Sequence, residues 1–270
     1  MLENKLDNLK NILKKYESIV VGYSGGVDST FLLKIATDTL GKKNVLGVTA
    51  KSETYPKAEF EESQRIAEKF GFRVKVIESS ELEIENFAQN DVNRCYYCKK
   101  ELFSLLRKIA DEEGLRNVAD GSNMDDLNDY RPGMKAAKEI GVVSPLKEAG
   151  FTKQDIRDLS KKMGLPTWDK PSFACLSSRF PYGTTITKER VSMIDDAENF
   201  LRSLGIKQLR VRYHDDIARI EVLPDDFNLF LDKDTSKTIV EKFKKLGFKY
   251  ITLDLQGYRT GSLNEGMKIK

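Results

Sequence analysis

A chain of 270 residues, 40% hydrophobic and 32% charged, has room for one large domain or two modest ones around real cores, and two are expected. No apolar run approaches the roughly 20 residues that cross a bilayer, and the opening MLENKLDNLKNILKKYES is polar and helix-patterned rather than a secretory leader, so a cytoplasmic protein without a membrane partner is expected. With 45 basic against 42 acidic side chains the formal charge is +3, too even to require nucleic acid as a partner.

Along the first 165 residues, short β-branched runs alternate with longer charged amphipathic segments. The strand candidates are SIVVGY (18 to 23), NVLGVTA (44 to 50), FRVKVIE (72 to 78) and RNVADG (116 to 121). Helical patterns such as KAEFEESQRIAEKFG (57 to 71) and CKKELFSLLRKIADEEG (98 to 114) separate them. This alternation predicts an α/β fold with a doubly wound parallel sheet, whose ligands sit beyond the carboxyl ends of the strands. A proline-rich interval follows, with Pro166, Pro171 and Pro181 and no helical period, and reads as a hinge or functional loop over 166 to 183. A helix pattern, TKERVSMIDDAENFLRSLG (187 to 205), and strand-like QLRVRYHDD, IARIEVLP and YITLDLQGYRTG then predict a smaller α+β domain over 184 to 270.

After the first apolar run, Ser24, Gly25, Gly26, Val27, Asp28 and Ser29 lead directly into a helix pattern. Glycines let a backbone turn tightly and approach a ligand, and the following helix aims its N–H groups and positive dipole end at an anion. The loop has neither the Gly-Lys-Ser/Thr ending of a Walker A motif nor dinucleotide-fingerprint spacing. A plain strand-to-helix turn, with Asp28 placed favourably in the first helical turn, is the alternative. As a string, SGGVDS resembles the pyrophosphate loop (PP-loop) of the N-type ATP pyrophosphatases, which split ATP into AMP and pyrophosphate while adenylating an oxygen of their substrate. The resemblance implies that residues 24 to 29 hold the pyrophosphate end of ATP with Mg2+, that Asp28 is the metal-side carboxylate, and that Thr49 and Ala50 lie near the adenine.

The three cysteines, Cys95, Cys98 and Cys175, are an odd number and do not suit a disulfide framework. Cys95 and Cys98 form a CxxC, which alone fits a zinc half-site, a redox pair or no shared chemistry at all. Zinc is under-supplied, because the single histidine, His214, belongs to the other predicted domain, although Asp or Glu could complete a site. Three thiolates also suit an iron–sulfur cubane with one iron free of protein ligands, on which an exogenous sulfide can be carried.

Longer stretches narrow these options. DGSNMDDLNDYRPGMKAAKEIGVVSPLKEAGFTKQDIR, LPTWDKPSFACLSSRFPYGTTIT, RVRYHDDIARIEV and YITLDLQGYRTGSLNE are similar, in order and over nearly the full length, to the LarE family. These ATP-dependent sulfur transferases (sulfur insertases) make the thiocarboxylates of the nickel-pincer nucleotide cofactor used by lactate racemase. The resemblance implies adenylation of a carboxylate on a pyridinium mononucleotide, then displacement of AMP by sulfur. One form of the family sacrifices the sulfur of a single cysteine, at the position of Cys175; the other carries three cysteines and a 4Fe-4S cluster. This chain has the CxxC as well as PSFACLSSR, which places it in the second form. Cys95, Cys98 and Cys175 are then the ligands, an extra sulfide on the unique iron is the donor, and the chain assembles as a homo-oligomer.

Arg210 and Arg212 alternate along QLRVRYH, so a strand would point both guanidinium groups to one face. The family resemblance assigns them to the substrate phosphate, with Ser178, Arg179 and Arg259 as further candidates; a solvated strand face is the alternative. Asp125, Asp126, Glu198 and Glu221 fall in matching motifs without identifying a general base. His214 beside Asp215, and the rings of Trp168, Tyr96 and Tyr97, read as structural. Two other functions fit the same loop: a tRNA thiolase of the same superfamily, and a non-catalytic nucleotide-binding regulator with a metal sensor.

Overall fold

The computed structural model describes residues 2–128, 132–171, 174–259 and 261–264, with residues 85, 127, 128, 132 and 264 as backbone only. Parts of the quoted motifs, among them Tyr130, Arg131, Ser172, Phe173 and Thr260, lie outside the described residues.

In chain order the elements are α1 (Leu2–Tyr16), β1 (Ile19–Gly22), α2 (Val27–Leu40), β2 (Val45–Lys51), α3 (Lys57–Phe70), β3 (Val74–Glu78), α4 (Glu85–Ala88), α5 (Arg94–Glu112), β4 (Asn117–Ala119), α6 (Pro132–Ile140), α7 (Pro145–Glu148) and α8 (Lys153–Lys162). There follow α9 (Lys188–Ser203), β5 (Leu209–His214), β6 (Ile217–Val222), α10 (Phe227–Leu231), α11 (Lys233–Leu246) and β7 (Tyr250–Leu253). The chain divides into two compact units. The first comprises residues 1–52, 57–84 and 93–173; the second comprises 53–56, 85–92 and 174–270.

The first unit is the doubly wound α/β sheet, with strand order β3-β2-β1-β4 and every neighbouring pair parallel. Successive side chains of a strand point to opposite faces, and β1 shows why both faces need helices. Ile19 and Val21 pack with Leu9 and Leu13 of α1, Phe31 and Leu32 of α2 and Ile156 of α8. Val20 packs instead with Phe103 and Leu106 of α5 and Ala137 of α6. A strand buried on both faces reads as an unbroken apolar run, which is the IVV of β1. Because β2 lies on one side of β1 and β4 on the other, the chain reverses direction across the sheet at β1, and the crevice for a ligand opens beyond the carboxyl ends of those two strands.

In the second unit β5 pairs antiparallel with β6, and β6 pairs parallel with β7. A parallel pair needs a crossover connection, and α10 with α11 supplies it between β6 and β7. The sequence reading assigned no element to this stretch. Gly247, in the left-handed region at φ 113°, ends α11. Phe180, Tyr213, Phe243 and Phe248 form a chain of ring contacts with centroids 5.2 to 6.3 Å apart in the core. The two short early segments are stitched in by backbone: Leu176 N–H donates to the Thr54 carbonyl (2.9 Å), Gly183 N–H to that of Asn90 (3.1 Å) and Ile186 N–H to that of Ala88 (2.8 Å). The buried Asn90 side chain donates to the Pro181 carbonyl at 2.6 Å.

Candidate active site

Each unit carries one cluster of chemistry-bearing groups. In the first, the loop 24 to 29 joins β1 to α2 at the crevice beyond the reversal point. Gly25 has φ +63°, and a Cβ there would stand 2.5 Å from the Cβ of Ser63 in α3, so only glycine fits without displacement. Gly26 precedes α2, and no side chain caps the helix start. Ser29 Oγ ties the loop by accepting from Ser24 N–H at 3.2 Å, and it lies 3.1 Å from Ser24 Oγ. Residues after β4 close on the same loop: a Cβ at Gly121 would lie 3.2 Å from that of Asp28.

Asp28 is the charged centre of this cluster. Its Oδ2 accepts from Lys153 Nζ at 2.5 Å, whereas its Oδ1 is buried without a hydrogen-bond partner. Burial raises its pKa, the Lys153 ammonium opposes that shift, and Asp126 adds to it. A buried carboxylate oxygen lacking a donor suits a cation, so the residues fit a divalent metal at Asp28. Lys170, nearly buried, is bonded to Glu59 (2.7 Å), Glu62 (2.6 Å) and the Gly25 carbonyl (3.3 Å). Arg157 in turn holds the carbonyls of Trp168 and Lys170, each at 2.7 Å. Thr49 is buried and donates to the Tyr23 carbonyl at 2.8 Å. That bond leaves Thr49 fixing the strand ends, and beside it only Ala50 is partly open to a base.

Cys95 and Cys98 lie three residues apart in the first turns of α5, the spacing that puts both on one face. Neither is in a disulfide; Cys98 donates to Glu81 Oε1 at 2.9 Å. Tyr96 donates to Glu139 at 2.7 Å and has the ammonium groups of Lys100 and Lys135 over its ring. The Trp168 ring is covered by Lys161 at 4.3 Å. These contacts match a packing role.

In the second unit Cys175 is free and exposed, with its sulfur 2.8 Å from Ser177 Oγ. It opens the 3-10 turn Leu176–Arg179. Arg179 is wholly buried: Nε and one terminal nitrogen hold Glu198 at 2.8 and 2.9 Å, and the other donates to the carbonyls of Ala174 (2.8 Å) and Cys175 (3.1 Å) and to Ser178 Oγ (2.9 Å). Its hydrogen bonds are thus spent inside the protein, bracing the cysteine loop. Arg212 adds a second brace by donating to the Ser178 carbonyl at 2.8 Å.

Arg210 and Arg212 do share a strand face, as alternation requires, and across the β5–β6 ladder they stand opposite Glu221 and Arg219. Each carboxylate here serves two guanidinium groups. Glu198 bridges Arg179 and Arg202, and Glu221 bridges Arg212 and Arg219. Burial would raise Glu198, but the surrounding arginines outweigh it and hold the group at about 2. Burial and the neighbouring Arg179 charge lower Arg210 to about 10, and burial with Arg219 and Arg212 lowers His214. The local potential is therefore positive. Arg179, Tyr182, Arg212, His214, Arg219 and Ser262 line a cavity of about 340 Å³, a size and charge suited to an anionic small molecule. Nε of Arg212 and Nε of Arg219 are buried without partners. Arg259 is directed to the Gly257 carbonyl at 3.0 Å.

Sequence reasoning passed over Arg219 and took His214 as structural. The signal for Arg219 is its register opposite Arg212, which appears only once the β5–β6 pairing is known. Among the described residues no three His, Cys, Asp or Glu side chains form a ready metal cage.

The NAD synthase family matches residues 1–102, the part that holds the glycine loop. Over the whole chain the resemblance is to other proteins. The chain is 44% identical over 264 residues to an uncharacterized protein of Synechocystis sp., covering 98% of both. It is 42% identical over 268 residues to the pyridinium-3,5-bisthiocarboxylic acid mononucleotide synthase of Lactiplantibacillus plantarum, covering 98% of this chain and 95% of that one. It is 32% identical over 262 residues to an uncharacterized protein of Methanocaldococcus jannaschii, covering 95% and 98%.

Proposed function

The chain belongs to the family of the pyridinium-3,5-bisthiocarboxylic acid mononucleotide synthases, and from that membership we infer the reaction its two clusters perform. It is an ATP-dependent sulfurtransferase of the PP-loop superfamily. We read its substrate as a pyridinium mononucleotide bearing carboxylates and its product as the thiocarboxylate. The observation that carries this reading is the extent of the likeness: it spans 98% of the chain, hence the cationic unit as well as the glycine loop.

In this reading ATP lies over residues 24 to 29, with its polyphosphate at the open start of α2 and its base by Ala50. Mg2+ would be held by Asp28 and would offset the charge that develops on the leaving pyrophosphate. A substrate carboxylate attacks the α-phosphorus, the bond to pyrophosphate breaks, and an acyl adenylate results. A sulfur nucleophile then adds to the acyl carbon and AMP leaves, so one oxygen of the carboxylate departs with AMP and sulfur takes its place. The substrate phosphate is held by Arg212 and Arg219, with Arg210 and Ser178 alongside and the buried Arg179 contributing charge. Cys95, Cys98 and Cys175 would hold a 4Fe-4S cluster, the donor set being three thiols outside any disulfide. When bound, that cluster supplies an iron without a protein ligand, able to carry the extra sulfide. Arg179 and Arg212 keep the Cys175 backbone in place throughout. Cytoplasmic location, homo-oligomerisation and an inorganic or carrier-bound sulfide source complete the reading.

The test is to incubate anaerobically reconstituted protein with ATP, Mg2+, sulfide and the carboxylated pyridinium mononucleotide, and to weigh the products. AMP, pyrophosphate and a mass shift of oxygen replaced by sulfur are expected. AMP release without that shift would retain the activation step and overturn sulfur insertion. Full activity of a Cys95→Ala/Cys98→Ala variant would replace the cluster with a sacrificial Cys175.

A further inference from the structure

His214 is the only histidine of the chain, and the reaction described above gives it no task. It is the last paired residue of β5, opposite Ile217, and the two-residue turn of Asp215 and Asp216 follows. Asp215 takes the left-handed region at φ 53°, which aspartate tolerates. Asp216 is tied down by Lys249 Nζ at 2.8 Å, and its carbonyl accepts from the N–H groups of Lys249 and Tyr250 at 2.8 and 3.0 Å. The backbone at His214 is therefore fixed. Strand alternation carries its side chain to the face of Arg210 and Arg212, where it lines the same cavity as Arg179, Tyr182, Arg212 and Arg219.

The charges that face the ring come from both strands. Burial disfavours the imidazolium, Arg219 of β6 and Arg212 of β5 add to that, and Asp215 in the turn and Glu221 of β6 oppose it. The carboxylates nearby are committed elsewhere: Glu221 takes Arg212 at 2.8 Å and Arg219 at 3.2 Å, and Asp254 takes Arg219 at 2.7 Å. The imidazole itself has no hydrogen-bond partner among the described residues. Arg212 and Arg219 stand opposite each other in the ladder, and each has a buried Nε without a partner. A dianion in this cavity would sit against the same guanidinium groups that disfavour the imidazolium, and it would offer the ring an acceptor.

Resting on the reading of this cavity as the substrate-phosphate site, we propose that His214 is its specificity-determining residue, engaging the dianion of a phosphate monoester as an imidazolium, so that the site takes up a proton together with its ligand. A doubly charged phosphate is thereby favoured over a singly charged carboxylate, which offsets less of the positive charge. The sign of the linkage is fixed. Because the dianion raises the pH at which the imidazole gives up its proton, affinity grows as pH falls through that range and declines as pH rises above it.

A single histidine gives a single ring resonance, so 13C-histidine NMR on the full chain reads this residue alone. Inorganic sulfate is the probe, since it stays a dianion over the whole range whereas a phosphate titrates at about 6. Saturating sulfate at constant ionic strength is expected to raise the measured pKa of His214 by roughly one pH unit, equivalent to a tenfold linkage. A resonance that moves with sulfate while its pKa stays put overturns the proposal and keeps the anion site. A resonance that neither sulfate nor ribose 5-phosphate moves at any pH would bring down the reading of the cavity itself. For His214→Gln, the ratio of its KM for the phosphorylated substrate to that of the wild type should grow several-fold, up to roughly tenfold, between about pH 8 and pH 5.5; the titration of the substrate's own phosphate divides out. A ratio independent of pH overturns the proposal, and if the variant does not fold the wild-type resonance decides alone.

Discussion

The glycine loop and the arginine-lined cavity both suit anions, yet they are built by opposite means. Around residues 24 to 29 the binding groups are backbone: a left-handed glycine, an uncapped helix start and a single carboxylate whose charge is only half matched. Around Arg212 they are side chains, most of them already bonded to Glu198, Glu221 and one another. The first design presents a site that a ligand and a metal complete. The second keeps a permanent positive potential by letting each carboxylate serve two guanidinium groups. The difference teaches where mutations should act: on turnover in the loop, and on stability in the cavity wall.

Asp28→Asn is the sharpest way to isolate the loop. It removes the group placed to hold the metal while keeping the shape, so adenylation, followed as substrate-dependent pyrophosphate release, should fall by about 10² to 10³. The midpoint of thermal unfolding should move little, since the lost charge was only partly satisfied. Glu198→Gln should do the reverse. It leaves the buried Arg179 and the half-buried Arg202 against a neutral partner, and breaking a buried pair costs about 3 to 5 kcal/mol, measurable as a lower urea midpoint. The pH dependence carries the same sign. The Glu198 pKa is lowered from 4.5 to about 2 on folding, so its contribution is complete above the unfolded value and is lost as pH falls from about 4.5 towards 2. The variant's stability should be flatter across that window than the wild type's.

The contrast also explains what the chain revealed by itself. A site made of consecutive backbone groups is written consecutively, and SGGVDS between an apolar run and a helix pattern located the crevice without any tertiary information. The central strands β1 and β2 were legible because strands covered on both faces stay largely apolar, whereas the edge strand β3 showed as the alternating VKVIE. The arginine cluster is written in fragments. Alternation put Arg210 and Arg212 on one face, but Arg219 joins them only through the β5–β6 register, and Ser262 through the fold. The family resemblance offered Arg179 as a further phosphate candidate; its complete burial depends on Glu198 arriving from α9. The inclusion of residues 53–56 and 85–92 in the second unit rests on backbone hydrogen bonds over long sequence separations, which leave no local composition signal; α11 did carry local signals, the Asp232 cap and the closing Gly247, which the sequence reading passed over.

Two smaller effects probe each construction at its own weak point. Gly25→Ala must place a Cβ 2.5 Å from Ser63 at φ +63°, and a strained, overpacked site of this kind costs about 1 to 3 kcal/mol. At Gly26, with its φ of −78° and the nearest atom 3.4 Å away, alanine should cost under about 1 kcal/mol; equal losses at the two positions would mean the loop has no rigid wall at α3. Arg212→Lys tests the cavity most gently. Lysine keeps the charge but cannot hold the Ser178 carbonyl, Glu221 and Ser262 together as Arg212 does at 2.7 to 2.8 Å. The Cys175 loop loses one of its two arginine braces while the potential in the cavity persists. KM for the phosphorylated substrate should then rise by roughly tenfold, the weight of one fork-type contact, and alkylation of Cys175 in a Cys95→Ala/Cys98→Ala background should quicken. A change in KM without any change in thiol reactivity would separate the anion site from the cysteine loop and leave Arg179 as its sole brace.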